Sequence, residues 1–136
     1  MKRPPPLPPH PGLRRRPGGG FGWLEARLLH EGTLSEIGPE ATAVLVLLAL
    51  AADSKGASWY GRERMAALLG MPRTKVDRAL DILLKKSLVA FRPWKRDPLN
   101  GVWQLLPLPP STKRKNQILS VQEVLRSLGL HPQTRT

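Results

Sequence analysis

The side chains in this sequence whose types and spacing could do chemistry are cations set at helical intervals. Arg73, Thr74, Lys75 and Arg78 lie close together. At 3.6 residues per turn, Thr74 and Arg78 share a face and Lys75 flanks it. An arginine can give guanine two hydrogen bonds, a threonine methyl can touch thymine, and a lysine meets phosphate as a point charge. Arg78 centres the exposed face and is expected to matter most. Arg92, Lys95 and Arg96 form a second cationic group, and Arg62 and Arg64 a third. Together they are chemistry for a polyanion.

Other chemistries find less support. Asp77 and Asp81 are i,i+4 carboxylates, a spacing open to metal or acid–base readings. Arg73, Asp77, Asp81 and Lys85 alternate in sign at the same interval, so a ladder of helix-surface ion pairs explains them more simply. The absence of cysteine excludes a disulfide framework and thiolate zinc sites. His10, His30 and His131 are too scattered to share a metal. There is no nucleophile–base pair, no metal-ligand cluster and no Gly-rich phosphate loop, so neither an enzyme nor a cofactor is expected.

Net charge is +12 over 136 residues, with a pI near 11.3. Residues 1–20 carry +5, residues 21–61 carry −3, residues 62–106 carry +6 and residues 107–136 carry +4. The stretch with the helical cations is therefore basic in its own right, which points to nucleic acid. The apolar run over residues 41–52 is shorter than the roughly 20 residues that span a bilayer. The basic N-terminus lacks the apolar region of a signal peptide. A cytoplasmic protein without a membrane partner is the expectation.

The elements that must position these cations can be read in order. Seven prolines predict a disordered basic arm of polyproline II character over residues 1–20, a form that aromatic-lined grooves of other proteins can take as a ligand. Leu24 and Leu28 predict a short helix that Gly32 stops, in a stretch that covers the core. Pro39 opens a helix that is apolar almost all round and should be the buried centre. Residues 57–60 predict a strand, and residues 62–69 and 73–86 two helices. Ala66, Gly70 and Val76 have the spacing of a helix-turn-helix, with Gly70 free to take positive φ at the turn. Val76, Ala79, Leu80, Leu83 and Leu84 form the buried face of the second helix. Residues 88–92 and 102–106 predict a hairpin with Asn100-Gly101 as its turn signal. Trp59, Tyr60 and Trp103 are expected in the core, and Trp94 against the base of the hairpin. After a basic Pro-rich linker over residues 107–119, a capping box at Ser120 and Glu123 begins a short amphipathic helix over residues 120–129, before a tail over 130–136.

The order of long apolar helix, strand, helix-turn-helix and hairpin resembles the winged-helix family. SWYGRERMAALLGMPRTKVDRALDILLKKSLVAFR looks like that family's core, and the likeness covers roughly residues 39–106. The leading FGWLEARLLHEGTLSEIG is similar to the N-terminal domains of plasmid and phage replication initiators. Pro72 stands where the family often has a Ser or Thr cap.

The resemblance implies a mainly α fold with a small β-hairpin: a three-helix core and a two-stranded wing over residues 21–106. It implies a sequence-specific double-stranded DNA binder in transcription regulation or replication initiation. Arg73, Thr74, Lys75 and Arg78 would lie on the recognition helix, Arg92, Lys95 and Arg96 on the wing, and Arg62 and Arg64 at the duplex backbone. A homodimer through the stripe of Val121, Val124, Leu125 and Leu128 is also expected. The alternative is a winged helix that docks proteins and has lost DNA binding.

Overall fold

Two glycines and one proline set the course of the central helix. The computed structural model describes residues 6–15 and 18–108. After a single turn, α1 (Arg27–His30), Gly32 takes φ 79° and starts α2 (Thr33–Ala51). Pro39 has no N–H to donate and disfavours helical geometry in the residue before it. Gly38 accordingly leaves the helix at φ 87°, ψ 172°, and residues 39–51 resume it. Pro39 does open the apolar helix, but a helical turn precedes it that the sequence did not predict.

As one 19-residue unit, α2 is long and apolar enough by composition to cross a bilayer. Its continuous part after Gly38 is only about 20 Å long at 1.5 Å per residue, against roughly 30 Å of hydrocarbon. Val44, Leu45, Leu47 and Leu48 from this part are buried in the domain core, while Leu50 is exposed. The helix is central but not enclosed on every side.

The remaining elements are β1 (Ala57–Ser58), α3 (Arg62–Leu69), α4 (Arg73–Lys85), β2 (Val89–Pro93) and β3 (Gly101–Leu105). The strands form an antiparallel sheet in the order β1-β3-β2. β1 is shorter than expected, and each hairpin strand is displaced by one residue from its predicted span. Ser58 faces the core, and Trp59, expected there, is 61% exposed just beyond the strand. Tyr60 is half-buried against the core and Trp103 is buried.

Helices α3 and α4 meet through a glycine-capped turn. Gly70 takes φ 63°, its N–H donates to Ala67 O, and the Met71 N–H donates to Ala66 O. That is a Schellman motif, the left-handed stop that suits glycine. Helix α4 ends the same way without a glycine. Ser87 sits at φ 57°, with Ser87 N–H on Leu84 O and Leu88 N–H on Leu83 O. A left-handed L-residue costs about 1–2 kcal/mol. Glycine would remove that strain at some entropic cost. Ser87→Gly at this exposed position is expected to raise the unfolding free energy by about 0.5–1 kcal/mol. Urea denaturation of the two proteins measures it, and a fall in stability would contradict the reading.

Residues 1–5, 16–17 and 109–136 lie outside the described set, and with them the expected helix over 120–129, its dimer stripe and most of the linker. Within the expected arm, residues 6–15 and 18–20 carry neither helix nor strand and are exposed.

Candidate nucleic-acid interface

Burial decides which face of α4 is available. Val76, Ala79, Leu80 and Leu83 are buried against α2 and α3. Thr74, Lys75 and Arg78 are exposed on the other side, as the periodicity predicts. Pro72, extended at ψ 149°, precedes the first turn, and its carbonyl accepts the N–H groups of Lys75 and Val76. The helix therefore starts at Arg73 without a side-chain cap.

The basic residues differ in how free they are. Arg78 pairs with no carboxylate among the described residues. Lys75 Nζ lies 3.8 Å from Glu40 on α2. Arg73 is only partly exposed: its Nε donates to Asp77 Oδ1 at 3.0 Å and its Nη1 to Glu63 Oε1 at 2.6 Å. These bonds raise the Arg73 pKa further and keep the guanidinium charged. The expected ion ladder forms only in its first rung, since Asp81 pairs with no cation among the described residues.

Arg62 is where sequence and structure part. Expected at the duplex backbone, it is 9% exposed and turned inward. Its Nε donates to Leu99 O at 2.6 Å and its Nη1 to Asp77 Oδ1 at 2.9 Å. Its guanidinium carbon lies 5.6 Å from the Trp103 ring centre and 5.9 Å from that of Phe91. The rings attract the cation electrostatically. Arg62 thus joins α3, α4 and the wing loop in one contact. Arg64 is exposed and stacks its guanidinium 4.3 Å from the Tyr60 ring centre.

Asn100 is the partner that sequence reasoning missed. Local sequence marks it only as part of a turn, yet it closes the wing and caps a helix. Gly61, at the N-cap of α3, has no side chain to accept an orphan N–H. Asn100 Oδ1 accepts the Arg62 N–H at 2.9 Å in its place. Its Nδ2 donates to Asp97 at 2.8 Å, and its backbone oxygen accepts the Trp94 N–H at 2.8 Å. An asparagine beside a glycine at the foot of a hairpin was the only signal available. No local spacing links it to a helix start 38 residues earlier.

Beyond β2, Lys95 and Arg96 occupy an exposed loop, and Arg92 is exposed on the strand before it. Trp94, expected to pack against the base of the hairpin, instead begins the loop at the far end of β2 and is exposed. At Gly101 an added Cβ would run into the Arg92 carbonyl, so the hairpin closes only with glycine there. The Phe91–Trp103 pair across the strands stacks at 4.1 Å, and Arg62 lies against it. The wing and α4 are therefore held one side chain apart. Among the described residues no three His, Asp or Glu side chains gather where they could hold a metal.

No family model and no curated protein matches this sequence. Among solved structures, the N-terminal domain of a DNA-binding protein is similar at 14% identity and a TM-score of 0.47, over 82% of this chain and 89% of that one. The adhesin competence repressor of Streptococcus pyogenes is similar at 15% identity and a TM-score of 0.44, over 75% and 72% of the two chains. A MarR family regulator from Neisseria meningitidis is similar at 14% identity and a TM-score of 0.41, over 76% and 63%. The architecture of this chain, three packed helices with a glycine-turned pair followed at once by an antiparallel hairpin, makes it a winged helix-turn-helix domain in fold.

Proposed function

We propose that this chain binds double-stranded DNA sequence-specifically and acts in transcription regulation or in plasmid or phage replication initiation. The observation that carries the reading is the outward face of α4. Thr74, Lys75 and Arg78 are exposed there, Arg78 pairs with no carboxylate among the described residues, and a basic hairpin is braced beside the helix. On this reading Arg78 and Thr74 reach base edges and Lys75 meets a phosphate. Arg92, Lys95 and Arg96 follow the adjacent backbone or minor groove, and Arg64 touches a flanking phosphate. Residues 21–106 act as the binding unit, and the basic arm adds diffuse phosphate affinity in a cytoplasmic, non-enzymatic protein. Arg62 has no place in this contact set, because it is buried and its Nε and Nη1 donate inside the domain.

Selection of bound fragments from mixed genomic DNA, followed by titration of the selected site, tests the reading. Arg78→Ala is expected to weaken the selected site about tenfold and to relax its sequence preference, as a bidentate base contact would. Lys75→Ala is expected to weaken all duplexes alike and to lower the salt slope by about one. Unchanged affinity and preference in both variants would remove the assigned roles. The protein-docking reading draws on exposed Trp23 and Trp59. No gel shift at moderate salt, together with a stable protein complex on pull-down, would favour it.

A further inference from the structure

Three cations on or beside α4 face carboxylates of the same domain: Lys75 faces Glu40, Lys86 contacts Glu36, and Arg73 is held by Asp77 and Glu63. The Arg73 arrangement differs from the others because its two carboxylates have unequal alternatives. Asp77 Oδ1 also accepts Arg62 Nη1 at 2.9 Å and would remain paired if Arg73 left. Glu63 is 78% exposed and would simply be rehydrated. Neither carboxylate would be stranded, so releasing Arg73 leaves no uncompensated buried charge.

We propose that Glu63 is a competitor for Arg73 that duplex DNA must displace, making Glu63 a determinant of how readily the domain engages DNA. The inference rests on the DNA-binding reading and assigns Glu63 a role within it. In the free protein Glu63 holds the guanidinium that begins the recognition helix. An approaching phosphate repels the Glu63 carboxylate and offers Arg73 a charge-assisted, two-pronged partner instead. Asp77 stays with Arg62, so the wing keeps its place while Arg73 changes partner. Such a built-in competitor weakens every encounter that cannot supply a full replacement, a form of selection by repulsion.

A double-mutant cycle on the full chain tests this, with a fluorescein-labelled duplex of mixed sequence as the probe. Glu63→Gln is expected to tighten binding about fivefold in the parent chain, the upper end of an exposed ion pair's worth. In an Arg73→Gln background the same change is expected to give less than about twofold. An equal gain in both backgrounds would show that Glu63 acts only as a general negative charge, and would overturn the proposal. No binding by the parent chain would overturn the DNA-binding reading and this inference with it. Side-chain Nε–Hε NMR signals of the unmutated chain give a second readout that needs no variant. The Arg73 signal is expected to move on adding duplex and the Arg62 signal to stay. A duplex-bound protein with an unmoved Arg73 signal would equally overturn the proposal.

Discussion

Trp103→Ala is expected to lower the unfolding free energy by about 3–5 kcal/mol, the range for truncating a large buried aromatic. Trp103 is 1% exposed and sits on the central strand of the sheet. It opposes Ser58 on one side and Phe91 on the other, and lies against the Arg62 guanidinium. Its loss opens a cavity where sheet, wing and α3 meet. Trp103→Phe separates area from polarity. The indole Nε1 is buried without a hydrogen-bond partner among the described residues. An unsatisfied buried donor costs about 1–3 kcal/mol. Removing that donor offsets much of the packing lost with the second ring, so Trp103→Phe is expected to stay within about 1 kcal/mol of the parent. Urea denaturation of both variants checks the pair. A Phe variant as damaged as the Ala variant would show that the indole, not the ring pair, is what the sheet requires.

How much of this was legible in the sequence follows from the range of each interaction. Periodicity sorts residues along one helix, and it placed Val76, Ala79, Leu80 and Leu83 inside and Thr74, Lys75 and Arg78 outside. Gly70 was readable because a helix stop needs a backbone state that glycine reaches without strain. Ser87 takes the same state and was not readable, since nothing marks a serine as left-handed until the hydrogen bonds around it are known. Trp59 was misplaced because its type argues for the core, whereas β1 ends at the inward-facing Ser58 and leaves the next residue exposed. Arg62 was misplaced for a related reason. A surface cation and a buried tether have the same letter, and the partners that distinguish them, Asp77 and Leu99, come from other elements.

Arg62→Ala is expected to cost about 2–3 kcal/mol and to loosen the wing. Breaking a fully buried ion pair costs about 3–5 kcal/mol. Here the cost is smaller, because Asp77 is 39% exposed and keeps Arg73. The Leu99 carbonyl loses its donor and the Trp103–Phe91 pair loses its cation. Hydrogen exchange at the Trp94 and Asn100 amides, which close the wing loop, is expected to speed up more than exchange in α2. Arg62→Lys keeps the charge, yet a single ammonium cannot match the fork that serves Leu99 and Asp77 together, so it should restore less than half of the loss. The variant also carries a pH signature. Burial pushes the Asp77 carboxyl up, but hydrogen bonds from Arg62 and Arg73 outweigh it and hold the group below the usual carboxylate range. A lowered native pKa gives stability that is complete above the unfolded value of about 3.9 and is lost as pH falls through the native value. The parent should therefore lose more stability than Arg62→Ala between about pH 6 and about pH 2, the range that brackets that titration. Asp53, held low by the N–H groups of Ala57 and Lys55, titrates alike in both proteins and cancels from the difference. Parallel acid limbs in the two proteins would mean that Arg62 does not stabilise the Asp77 carboxylate, and the tie between wing and recognition helix would have to rest on the Leu99 bond and the ring stack alone.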